Sequence, residues 1–171
     1  MQKVVFPKIG LRMVKSVLAV FACFMIDIFR SGSVPFYSAI AAILCMQPDV
    51  SGSMKVALNR TVGTLIGGFY GMVAMLLFKH FNLYDNVFVR YTVVSIAILP
   101  LMYLTVLLKK HKATYITCVV FLSVTISHGA DASPYLFAIN RIVDTLIGIF
   151  VSLGINAIPF LQKEVEEEKE K

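Results

Sequence analysis

The sequence predicts an all-α integral membrane fold of six transmembrane helices, arranged as two inverted three-helix repeats. The first ground is composition. The chain is 58% hydrophobic and only 15% charged, and the charges fall between long unbroken apolar runs. An ordinary soluble domain is about a quarter charged, and membrane strands would alternate apolar with polar residues instead of running continuously apolar. The second ground is a near-repeat: ALNRTVGTLIGGF at 57–69 returns as AINRIVDTLIGIF at 138–150, with nine of thirteen positions identical. The third is span counting. Three spans belong to each copy, and an odd number turns the second copy over across the bilayer, a recurrent transporter architecture with sites at the repeat interface.

Span one is expected from Val14 to Phe29, with Lys15 snorkelling to the interface and Asp27 near the far end. Its basic flank resembles a signal peptide, but Phe29-Arg30-Ser31-Gly32 is a poor cleavage site, so the span is read as retained. Span two, Val34–Met46, is short for a crossing; Pro35 suits a first helical turn and Pro48 ends the segment. Residues 49–55, DVSGSMK, read as a polar loop before span three, Leu58–Phe78, which carries Arg60. Span four, Val87–Leu108, has Arg90 near its start and Pro100 inside. A basic turn, 109–112, precedes a second short span, Ala113–Ser127, and a loop with His128 leads to span six, Ile139–Phe160, which carries Arg141. Residues 1–162 thus form one six-helix transmembrane domain, followed at 163–171 by a charged cytoplasmic tail, KEVEEEKEK.

The net charge of +6 has a topological reading. With both termini cytoplasmic, twelve of the Lys and Arg residues fall on inner segments and four (Arg30, Lys79, Arg90, Arg141) on outer ones. That bias places the protein in the cell (inner or plasma) membrane as a multi-pass chain and removes the need for a nucleic-acid partner. Cys23, Cys45 and Cys118 all lie in apolar runs without metal or redox spacing and read as small buried hydrophobes. No nucleophile–base set, phosphate loop or metal cluster is present in the sequence, so neither an enzyme nor a cofactor is expected.

Helical spacing puts Arg60, Gly63, Thr64, Gly67 and Gly71 on one face, and Arg141, Asp144, Thr145, Gly148 and Ser152 on the matching face of the second copy. Small residues at this spacing form helix-packing seams. A cation at the start of an apolar helix opposes the macrodipole, so helix stability does not ask for it there. Two readings stand for the arginines. They anchor the chain to lipid phosphate or a carboxylate, Asp144 being three residues from Arg141; or, with Asn59, Thr64 and Thr145, they bind an anion together with first-turn N–H groups. Asp27 and Asp144 are coupling candidates, although Asp27 also suits Arg30 as a partner; Arg90, Gln47 and Asn140 are secondary candidates.

Pro35-Phe36-Tyr37-Ser38-Ala39-Ile40 through Gln47-Pro48, followed by Asn59-Arg60-Thr61-Val62-Gly63-Thr64 and Gly67-Gly68, resembles the membrane domain of the aromatic acid exporter family, within the fusaric-acid-resistance-like proteins. The resemblance implies a six-helix inner-membrane unit, dimeric, that moves small organic anions such as aromatic carboxylates, with the arginines lining the path. The function expected is therefore an exporter or channel-like permease working in a lipid bilayer as a homo-oligomer. The other reading is a non-transporting membrane subunit or assembly factor that uses the same arginine and glycine faces to hold lipid or a partner.

Overall fold

The computed structural model describes residues 10–30, 34–81, 86–127 and 134–158, all helical or connecting. Six α-helices follow one another: α1 (Leu11–Ile28), α2 (Pro35–Cys45), α3 (Val50–His80), α4 (Val87–Leu107), α5 (Thr114–Leu122) and α6 (Pro134–Asn156). A 3-10 turn (His111–Ala113) leads into α5, and a π turn (Ser123–Ser127) extends it. His128 and the tail at 163–171 lie outside the described residues.

The starts of α3 and α6 lie a turn or more earlier than the sequence suggests. The stretch 49–55 is not a loop: Asp49 caps α3, its carboxylate accepting from Gly52 N at 2.7 Å, and the polar residues form the first two turns. Composition argued for a loop, but a capped helix tolerates Ser and Gly in its first turns, and here the buried Ser53 Oγ accepts from Gln47 N at 3.0 Å. α6 likewise begins at Pro134, five residues before Ile139, because proline suits the first helical position, where no N–H partner is needed. At the other boundary of note, α4 closes with Lys109 at φ 55°; Lys110 N reaches Thr105 O and Lys109 N reaches Val106 O, each at 2.9 Å. These paired bonds form a left-handed C-terminal cap that satisfies two of the last carbonyls.

Among the described residues, three helices are long and apolar enough to cross a bilayer: α3, α4 and α6. α1 has 18 residues but carries Arg12, Lys15 and Asp27. α2 has 11 residues, about 16 Å of helix, roughly half a hydrocarbon core. The outer face of α4 is strongly apolar, with Phe88, Leu99, Tyr103 and Leu107 all more than three-fifths exposed. Contiguous apolar surface of this kind marks contact with membrane or partner.

The core is built around α3 and α6, which run antiparallel. Ala57 clusters with Ile149 and Leu153, Gly68 meets Ile142, and Met75 clusters with Ala138. Each long helix also takes a short helix from the other half of the chain. A Cβ on Gly67 would lie 2.4 Å from Thr117 O and 3.1 Å from Val120 Cβ, on α5. A Cβ on Gly148 would lie 2.1 Å from Ser38 O and 2.7 Å from Ala41 Cβ, on α2. Gly63 and Gly71 press on Ala113 O and on the Val124 side chain in the same way. Only glycine permits backbones this close. Cys23 and Cys45 are buried free thiols, and Cys118 is half-buried.

Candidate functional site

Between the Ala57–Ile149 and Gly68–Ile142 contacts of the antiparallel pair, Thr64 and Thr145 lie at about one level, each 1% exposed. Arg60 lies four residues before Thr64 and Arg141 four before Thr145. The two helices run in opposite directions, so the arginines fall on opposite sides of that level, separated by about 12 Å along the axis. Both are 5% exposed. Arg60 Nε is buried without a hydrogen-bond partner, and no carboxylate pairs with this side chain among the described residues. Arg141 Nε and Nη1 are likewise without partners, and its Cζ lies 3.4 Å from the centroid of the Tyr37 ring. Such a cation–π contact holds the guanidinium plane in place while leaving its N–H edge available.

This geometry corrects the expected role of the helix termini. Val50 begins α3 ten residues before Arg60, and Pro134 begins α6 seven residues before Arg141. The free N–H groups of the first turns are therefore on the order of 10–15 Å away and do not converge with the guanidinium groups. The arginines sit inside their helices, where their N–H groups are the donors on offer.

Asp144 makes its ion pair with another cation and not with Arg141. It is fully buried and pairs with Arg30 Nη1 from the end of α1, while Val34 N donates to its other oxygen at 3.1 Å. Arg30 Nη2 also reaches Asn140 Oδ1 at 3.4 Å. The three-residue spacing made Arg141 and Asp144 neighbours on one face, but α1 supplies a cation at better range, and Tyr37 takes the Arg141 side. Asp27 accepts from Ser38 Oγ at 2.7 Å, joining α1 to α2. Asn59 is half-buried beside the arginine face. Thr145 Oγ1 bonds back to Arg141 O at 2.9 Å, whereas Thr64 Oγ1 is buried without a partner. The glycines Gly63, Gly67, Gly71 and Gly148 are turned to α5 and α2 and line no open space.

Lys15 gave a different signal from the one expected. It does not snorkel: it is 3% exposed and donates to Asn156 Oδ1 at 3.1 Å. Asn156 Nδ2 in turn donates to Gln47 O at 3.0 Å and Ser53 Oγ at 2.8 Å, so four segments are tied together at one end of the bundle. Tyr37 was also missed as a site residue, because nothing in the sequence of α2 sets its ring apart from the adjacent Phe36. No three of His, Cys, Asp and Glu gather as a metal site among the described residues.

Neither the curated proteins nor the solved structures give a match to this chain. A family model does. Its description is fusaric acid resistance protein-like, and it matches residues 17–155, which hold α2 to α5 whole, α1 without its first turns and α6 without its last residue. The match takes in Tyr37, both buried arginines and the glycines that seat α5 and α2, and it marks the protein as membrane-transport-related. An apolar helical bundle built round two interior cations, matched over most of its length, therefore belongs to the fusaric acid resistance protein-like family.

Proposed function

We propose that this protein is a permease for small organic anions such as aromatic carboxylates, acting as an exporter or channel-like path in the cell membrane. The observation that carries the reading is the pair of buried guanidinium groups, neither in an ion pair among the described residues, on either side of the α3–α6 crossing. A cation at membrane depth costs about 2.5–3.5 kcal/mol even on lenient insertion scales. Two of them without carboxylate partners are supported by an anion that visits. Arg60 and Arg141 then take the carboxylate in turn through paired N–H donors, with the Thr64 hydroxyl as a further donor between them and the Tyr37 ring beside Arg141.

In this reading six helices insert as two inverted three-helix repeats, with both termini cytoplasmic. Support comes from the repeated thirteen-residue segment, the antiparallel α3–α6 pair, and the matched seating of Gly67 on α5 and Gly148 on α2. The short α2 and the short α5 hold corresponding places, as discontinuous helices do in inverted-repeat transporters. Lys55 and Lys79 are about 36 Å apart along α3, enough to reach both faces. Impermeant thiol labelling of a Lys55→Cys variant from the inside and a Lys79→Cys variant from the outside checks the orientation. A homodimer is the expected working unit.

The test is carboxylate flux into liposomes holding the purified protein. Wild type is expected to exceed empty liposomes, and Arg60→Ala and Arg141→Ala are each expected to lower flux at least tenfold. Arg60→Lys should recover only part, because a point charge replaces a two-pronged donor. Wild-type flux no greater than that of empty liposomes would refute the proposal.

A further inference from the structure

A groove of about 590 Å3 runs along the outer side of α1 and α2, lined by Gly10, Arg12, Ser16, Val17, Val20 and Ile43 among others. It has one cation and a largely apolar floor. Arg12 Nε donates to Met46 O at 2.9 Å, which fixes the guanidinium against the end of α2. Both Nη groups are left without a partner among the described residues. Ser16 Oγ is committed to Arg12 O at 2.9 Å and competes for nothing in the groove. Val17 is 68% exposed, so the groove is open along the side of the bundle.

We propose that this groove binds one anionic phospholipid taken from the surrounding bilayer. The phosphate sits on the Arg12 Nη groups, and an acyl chain lies over Val17, Val20 and Ile43. The proposal rests on the membrane-spanning reading given above and is independent of what the arginines at the α3–α6 crossing carry. Charge complementarity selects the occupant. A guanidinium with two free N–H prongs matches a phosphate, and basic pockets between helices on the cytoplasmic side take acidic headgroups. Arg12 and Val20 are about 12 Å apart along α1, so headgroup and chain meet the cation and the apolar floor together. A zwitterionic lipid brings its own ammonium and gains less from Arg12. A small free anion has no chain to cover the floor.

The chain contains no tryptophan, so Val17→Trp places a single fluorophore in the groove. Ile96→Trp on α4, at a position 67% exposed, is the matched control outside it. Each variant is reconstituted in phosphatidylcholine vesicles containing a minor fraction of brominated phosphatidylglycerol or the same fraction of brominated phosphatidylcholine. Brominated phosphatidylglycerol is expected to quench Val17→Trp several-fold more strongly than brominated phosphatidylcholine, with no such preference at Ile96→Trp. Adding Arg12→Gln should abolish the preference, and Arg12→Lys should retain part of it. Equal quenching of Val17→Trp by the two lipids, or a preference that survives Arg12→Gln, overturns the site alone. Absence of quenching at both reporters overturns the site together with the membrane-spanning reading beneath it.

Discussion

Gly148→Ala is the substitution whose outcome the packing of α2 on α6 constrains most tightly. The new Cβ would stand 2.1 Å from Ser38 O and 2.7 Å from Ala41 Cβ. Ordinary contact begins near 3.4 Å, so the two helices must separate by more than 1 Å. The obstacle on the α2 side is a backbone carbonyl, which cannot rotate away as a side chain would. Overpacking costs about 1–3 kcal/mol, and the upper end applies here. The intrinsic helix preference for alanine returns about 1 kcal/mol, leaving a net loss of about 2 kcal/mol. Gly154→Ala, one and a half turns further along the same helix, meets nothing within 4 Å and should gain from the preference alone. Denaturant unfolding in detergent micelles compares the pair, and the two variants should differ by about 3 kcal/mol. If they fall within about 0.5 kcal/mol of each other, the range of unremarkable surface changes, the close approach of α2 to α6 is wrong.

Two further outcomes follow from polar contacts at the same end of the bundle. Asn156→Leu removes the acceptor from the buried Lys15 ammonium and should cost about 3 kcal/mol, whereas Lys15→Met combined with Asn156→Leu should recover at least half of that loss in the same unfolding assay. The Ser51 hydroxyl and the Gly52 N–H hold the Asp49 carboxyl below its ordinary value. The cap is therefore complete above the usual carboxylate range and is lost as pH falls through the lowered folded value. Hydrogen exchange at the Gly52 amide should show protection lost in that acidic window, and Asp49→Asn, which caps without titrating, should remove the pH dependence.

The apolar runs and the thirteen-residue echo were legible in the sequence because both are local patterns. A continuous apolar stretch cannot fold economically as anything but a buried or lipid-facing helix, and identical segments adopt identical helices with the same face presented. The spans for α1, α2 and α4 accordingly fall within a few residues of their observed ends. The starts of α3 and α6 were less legible, because composition weighed DVSGSMK and the residues before Ile139 as loop. The capping aspartate and Pro134 were the physical signals that counted.

The sequence by itself determined that two arginines would sit in matched apolar helices, since position and repetition are written in the chain. Only the tertiary structure decided which charges are neutralised. Arg30 reaches Asp144 across 114 residues, Tyr37 covers Arg141, and Lys15 finds Asn156 at the far end of α6. Spacing along one helix names the neighbours on its face, but a buried ion takes whatever partner the packed helices bring within reach. That choice depends on how α1 and α2 lie against α6, set by the Gly148 seat and contacts distant in the chain. Arg60 is left with no carboxylate among the described residues for the same reason: α5 brings backbone and apolar side chains to its face of α3, and no acid.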